Sequence, residues 1–121
     1  MPRLDIQRND IVWVDFGPVR GNAKAGEHPA IVVQNEVGNR YSPMAIVVPL
    51  TDQRQFKNLP VQVKLTTEDT GLDNKDSCAE CGHVTTIDRD TQIDEGRGVV
   101  GRVSDAAMER VDAALRTSLA L

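Results

Sequence analysis

Short apolar segments rich in β-branched residues recur along the first 66 residues, and turn-forming residues separate them. Segments of this length and composition are predicted as strands. They are Asp10–Phe16, Pro29–Gln34, Met44–Leu50 and Val61–Thr66. Ala30–Val33 is apolar on both faces, which predicts a central strand. Val61–Thr66 alternates apolar and polar residues, which predicts a half-buried strand.

The second half of the chain has a weaker strand pattern and then a clear helical one. Ser77–Ile87 and Arg97–Val103 are predicted strands, and Arg89–Glu95 a short helical turn. The polar stretches are predicted as connections, at Val19–Gly26, Asn35–Pro43 and Thr67–Asp76. Ser104 is a suitable N-cap, with Asp105 in the first turn. An apolar stripe then predicts an amphipathic C-terminal helix, at Met108, Val111, Leu115 and Leu119.

About five to seven short strands followed by one helix predict a mostly β (α+β) fold. We expect a small, partly closed SH3-like antiparallel β-barrel with the C-terminal α-helix packed on it. The 121 residues fit one domain, residues 1–121. The net charge of −4 and the pI of about 5.1 argue against indiscriminate coating of nucleic acid, but they allow a local basic patch. With no secretory signal or membrane-length apolar window, the chain is expected in the cytoplasm with its cysteines reduced.

Five colinear stretches carry a resemblance to the MazF/PemK family of toxins. They are Asn9–Arg20, Gly26–Asn35, Ala45–Thr51, Thr85–Arg89 and Met108–Leu121. The resemblance implies a homodimeric, cytoplasmic toxin of a type II toxin–antitoxin system, with a cognate antitoxin whose flexible tail covers the RNA site. It also implies sequence-specific cleavage of single-stranded RNA, including mRNA, without metal or other cofactor. The 2′-hydroxyl would attack the adjacent phosphate and give a 2′,3′-cyclic phosphate and a 5′-hydroxyl.

Several polar site positions depart from the family pattern. The family's catalytic threonine corresponds to Thr51, but its partner arginine corresponds to His28. An arginine can clamp a phosphate through two parallel hydrogen bonds, whereas a histidine cannot. The family's acidic residue, glutamine and arginine on a later strand correspond to Gly82, His83 and Thr85. The Ser-Glu pair of its glycine-rich loop is replaced here as well.

The chain's two histidines both fall on family site positions. His28 and His83 could therefore form an acid–base pair, since imidazoles titrate near neutral pH. The competing interpretation is that both are simply solvated, and it stays open. Thr51 is the candidate for orienting the phosphate, although a strand-end threonine can also bond its own turn.

Candidate RNA contacts are cations near this site, at Arg20, Lys24, Arg54 and Lys57. Each could neutralise a phosphate, and each could instead be an ordinary solvated loop residue. Arg20 is the stronger candidate of the loop pair, because the resembled family often carries a cation at that position. Cys78, Cys81 and His83 resemble a metal knuckle. However, Cys78 and Cys81 point to opposite faces of a strand, and even His28 would add only a third ligand. We therefore predict no metal site and two reduced thiols.

Two other functions remain open from the sequence. The departures at His28, Gly82 and Thr85 would suit a degenerate family member that holds RNA or an antitoxin without cutting. A CcdB-like inhibitor of DNA gyrase would share the barrel type. It ranks lower, because Pro29–Asn35 and the preceding loop resemble the ribonuclease branch.

Overall fold

Seven short strands form a curled antiparallel half-barrel in the computed structural model, which describes residues 3–73 and 75–121. Within these residues the strands are β1 Asp10–Asp15, β2 Glu27–Val32, β3 Met44–Asp52, β4 Gln62–Leu65, β5 Ser77–Glu80, β6 Thr85–Asp88 and β7 Val99–Arg102. Their spatial order is β4-β5-β3-β2-β1-β7, with β6 also paired to β3. The predicted fold class, a mostly β (α+β), partly closed antiparallel barrel with a C-terminal helix, is confirmed.

β2 is the central strand that its doubly apolar run predicts. It pairs with β1 on one edge and with β3 on the other. Ile31 belongs to the apolar cluster beneath the C-terminal helix, with Ile11, Val48 and Leu50. Ala30 and Val32 belong to a second cluster on the opposite face of the sheet. Burial on both faces fixes the register of β2, since a slip of one residue would exchange the two sets.

The prediction of one strand over Ser77–Ile87 is wrong, because a 3-10 turn at Cys81–His83 divides it into β5 and β6. Both parts pair with the same edge of β3. The carbonyl of Ile46 accepts from the Val33 N–H on the β2 side. The backbone N–H and C=O groups of the odd-numbered residues of β3 therefore point the other way, toward β5 and β6. Pro49 therefore presents no N–H where the ladder breaks. β3 itself continues past Pro49 to Asp52, two residues beyond its predicted end.

Two predicted connections contain short helices. Asn35–Pro43 contains α1 Glu36–Tyr41, where the Asn35 side chain accepts from the Gly38 N–H at 2.8 Å. Thr67–Asp76 contains the single turn α2 Thr67–Thr70, which is stabilised by a capping box between Thr66 and Asp69. The predicted turn after β6 is α3 Arg89–Gln92.

The C-terminal helix α4 spans Asp105–Leu119 and begins as its cap predicts. Ser104 Oγ accepts from the Ala107 N–H at 3.2 Å. Its buried face ends earlier along the helix than the predicted apolar stripe and includes alanines, at Ala107, Met108, Val111 and Ala114. Leu119, a predicted member of the stripe, is 52% exposed. Across the described ranges, no helix combines the length and apolar character needed to cross a membrane.

Candidate active site

A broad cleft of about 1100 Å³ opens at the edge of the half-barrel. One wall is the loop before β2, at residues 22–25, together with the first residues of β2. The other walls are the end of β3, the paired strands β4 and β5, and the segment after α2. His28, Thr51, His83, Lys24 and Lys57 all line this cleft. The structure thus brings together the three predicted catalytic residues and two of the four predicted RNA contacts.

Strand register explains why His28 and Thr51 share the cleft. β2 and β3 pair with Ala30 opposite Pro49. Extended by two residues, this register would bring His28 opposite Thr51, and period-two alternation places both side chains on one face. Thr51 in turn lies opposite Cys78 of β5. His83 reaches the cleft from the 3-10 turn that follows β5.

The ring of His28 is held by its own loop. Its Nε2 lies 2.8 Å from the carbonyl oxygen of Ala25. A carbonyl only accepts, so Nε2 must carry the proton, and the neutral ring then offers Nδ1 as its acceptor. Phe16 packs beside the ring, with the two ring centroids 6.1 Å apart. His28 therefore positions the loop wall and retains one nitrogen for a ligand.

A carboxylate that sequence reasoning missed lies beside Thr51. Thr51 Oγ1 is 3.4 Å from both the Cys78 carbonyl oxygen and Glu80 Oε1. Gln62 Nε2 donates to Glu80 Oε1 at 3.1 Å, and Gln62 lies opposite Glu80 across the β4–β5 pair. The signal in the sequence was the two-residue step from Cys78 to Glu80, which places both on the face that meets Thr51.

The cations around the cleft differ from the predicted set. Lys75 and Arg97 also line it, and neither was predicted. Lys75 forms an ion pair with Asp52, which holds the pKa of that carboxyl well below its usual range. Arg97 lies 4.2 Å above the Trp13 ring, a cation–π contact.

Two predicted RNA contacts lie further out. Arg20 and Arg54 are not among the described residues that line the cleft. Arg20 is exposed, in the loop that precedes β2. Arg54 is directed to Asp52, with 3.1 Å between Nε and Oδ1.

Both cysteines are buried thiols outside any disulfide. Burial raises the pKa of each to about 12, and the nearby Glu80 carboxylate adds to the shift at Cys78. Cys81 faces α4, where its Sγ lies 3.9 Å from the Val111 carbonyl oxygen. In residues 3–73 and 75–121, no three side chains of His, Cys, Asp or Glu are grouped to hold a metal ion.

Comparisons with known proteins cover nearly the whole chain. The family model for the PemK-like, MazF-like toxin of type II toxin-antitoxin systems matches residues 7–119. Endoribonuclease EndoA of Bacillus subtilis (strain 168) is 36% identical over 116 residues, which are 96% of each chain.

Solved structures show the same fold at lower identity. A mycobacterial endoribonuclease in complex with its cognate antitoxin superposes with a TM-score of 0.73 at 24% identity, covering 94% of both chains. MazF (Form-I) from Deinococcus radiodurans gives 0.74 at 18% identity, covering 96% of this chain and 97% of that one.

Proposed function

Since the chain belongs to the PemK-like, MazF-like toxin family of type II toxin–antitoxin systems, we propose that it is an endoribonuclease that cuts single-stranded RNA at a specific short sequence. The observation that carries this proposal is the meeting of His28, Thr51 and His83 in one cleft with Lys24 and Lys57. An anionic backbone needs local cations, and this cleft supplies them on a chain whose net charge is −4.

The proposed reaction uses the RNA's own nucleophile. The 2′-oxygen attacks the adjacent phosphorus, the bond to the 5′-oxygen breaks, and the products are a 2′,3′-cyclic phosphate and a 5′-hydroxyl. Because the nucleophile belongs to the substrate, the reaction needs only proton transfer and charge stabilisation, which side chains can supply without a metal ion or other cofactor.

Each cleft residue then has a role that its position permits. Thr51 donates its hydroxyl to a non-bridging phosphate oxygen, since its present contacts at 3.4 Å are long and easily exchanged. His28 acts on the same phosphate as a cation or acid through Nδ1, while Nε2 keeps its bond to Ala25. His83 is the second proton-transfer group. Lys24 and Lys57 neutralise neighbouring phosphates, and Arg20 and Arg54 contact flanking nucleotides.

We further propose a cytoplasmic homodimer regulated by a cognate antitoxin. The support is family membership and the mycobacterial relative of the same fold, whose structure includes its antitoxin. A two-fold interface would be self-complementary. Sedimentation at micromolar concentration should give about twice the 13.3 kDa chain mass. A sedimentation result showing only the monomer would refute the dimer and leave the cleavage proposal standing.

One experiment tests the reaction. The pure protein is incubated in EDTA with a mixed RNA pool, and the new 5′ ends are mapped. We expect 5′-hydroxyl ends after one short sequence, and no cleavage of an RNA with a 2′-O-methyl group at that position. RNA retained on a gel without any cuts would overturn the nuclease in favour of the binding module. That alternative owes its support to the histidine at the position of the family arginine.

A further inference from the structure

We propose that Glu80 is the base that accepts the proton of the attacking 2′-hydroxyl, an inference that rests on the proposed RNA cleavage. The residue borders the cleft beside Thr51, yet neither histidine role explains why a carboxylate should be held there. Transesterification needs an acceptor for the 2′-proton as well as a donor for the leaving oxygen. Glu80 supplies that acceptor.

The carboxylate is fixed rather than free to rotate. Gln62 Nε2 donates to both of its oxygens, at 3.1 Å to Oε1 and 3.4 Å to Oε2. The same amide nitrogen also donates to the Gln55 carbonyl at 3.0 Å, which holds Gln62 in place. The thiol of Cys78 lies 3.6 Å from Oε1. A base held on a paired strand by a cross-strand partner is preorganised for its task.

Thr51 links this base to the scissile phosphate. The Thr51 hydroxyl would bond a phosphate oxygen at about 2.7 Å, and a 2′-oxygen ready to attack lies about 3 Å from the phosphorus. Glu80 Oε1 is only 3.4 Å from the Thr51 oxygen. The 2′-hydroxyl of a phosphate bound there can therefore come within hydrogen-bond reach of Glu80.

The other acceptors near the phosphate are less suited. His28 keeps Nε2 as the donor to Ala25, and in the charged form that contacts the phosphate its Nδ1 is a donor as well, so the ring then offers no acceptor. In the resulting step, Glu80 takes the proton from the 2′-oxygen as the bond from that oxygen to phosphorus forms. His83 gives its proton to the departing 5′-oxygen as the bond from phosphorus breaks. Water then removes the proton from Glu80 and returns one to His83, so the enzyme is unchanged.

The first test compares a charge-neutralising substitution in the cleft with a matched one outside it. Glu80→Gln should lower the single-turnover cleavage rate by about 10²- to 10⁴-fold, the usual effect of losing a proton-transfer group. RNA affinity and thermal midpoint should stay close to wild type, because glutamine retains a partner for Gln62. Glu109→Gln is the control, since Glu109 is an exposed carboxylate on α4, away from the residues that line the cleft. That variant should cleave as wild type does.

A second substrate separates the base from the acid. An RNA with sulfur in place of the bridging 5′-oxygen has a leaving group that departs without a proton. This substrate should restore cleavage by His83→Ala but leave Glu80→Gln slow. Glu80→Gln should also lose the acid limb of the pH–rate profile. The inference is overturned if Glu80→Gln keeps its rate, or if the sulfur substrate rescues it. Failure of the wild type to cut any RNA would instead overturn the proposed function, and the inference with it.

Discussion

Replacing Arg89 should test what holds the half-barrel together behind the cleft. The side chain is only 4% exposed, and its guanidinium is directed at backbone carbonyls. It donates to Asn39 at 2.6 Å, to Ser42 at 3.0 Å and to Leu4 at 3.0 Å. Two of these carbonyls lie in the last turn and at the C-cap of α1, and the third lies in the N-terminal segment. One arginine therefore joins the C-terminal end of α1 and the N-terminal segment to the residue that follows β6. Burial lowers the pKa of Arg89 from its usual value, which reflects the cost of desolvating the charge.

Arg89→Met keeps most of the apolar stem and removes all of these donors. Each hydrogen bond from a charged donor is worth about 1.5–3 kcal/mol. Part of this lost stability is regained, because the variant has no buried charge to desolvate. A net cost of about 1 kcal/mol for each carbonyl left without its donor lowers the unfolding free energy by about 3 kcal/mol in total. For a domain of this size that corresponds to a fall of about 10 °C in Tm.

The assay is urea unfolding followed by circular dichroism, with Arg116→Met as the matched control. Arg116 is exposed on α4, so its loss should change the unfolding free energy by less than about 0.5 kcal/mol. Arg89→Lys should recover only part of the loss, because an ammonium lacks the planar fork. If Arg89→Met is as stable as the control, the carbonyl contacts contribute nothing and the reasoning fails. RNA cleavage per folded molecule should be unaffected below the transition.

Three further outcomes are expected. His28→Gln can still donate to the Ala25 carbonyl, because its amide nitrogen takes the place of Nε2. It cannot carry a charge or donate a proton to the phosphate, so it should slow cleavage by about 10²-fold. Recovery of the rate by His28→Arg would mean that only positive charge is needed, and full activity in His28→Gln would remove the residue from the chemistry. Changing Arg20 and Lys24 together to glutamine should reduce the slope of log affinity against log salt by about 1.4; an unchanged slope would exclude them as RNA contacts. Above pH 9 the unfolding free energy should fall, because the cysteine thiols have a pKa of 9.0 in the unfolded chain and a pKa of about 12 at Cys78 and Cys81 in the folded one. The unfolded state therefore loses its thiol protons first and is favoured as the pH rises. The slope of the unfolding free energy against pH should approach about 1.4 kcal/mol per pH unit for each thiol. A variant with both Cys78 and Cys81 changed to alanine should lack this slope.

The sequence predicted those parts of the fold in which local pattern and tertiary packing agree. β2 is apolar on both faces because it lies between two clusters, and the same burial made it recognisable. Ser104 is visible as a cap because its role depends on the next three residues alone. The break between β5 and β6 was not visible, because it depends on where Pro49 falls in a neighbouring strand about 30 residues away.

The candidate site divides in the same way. His28, Thr51 and His83 could be named because a family resemblance fixed their positions along the chain. Glu80 could not, because its place beside Thr51 exists only once β3, β4 and β5 are in register. Before that register is known, Glu80 is one more charged residue on a weakly patterned strand. Residues whose role follows from the register between distant strands are thus the ones that a single sequence hides.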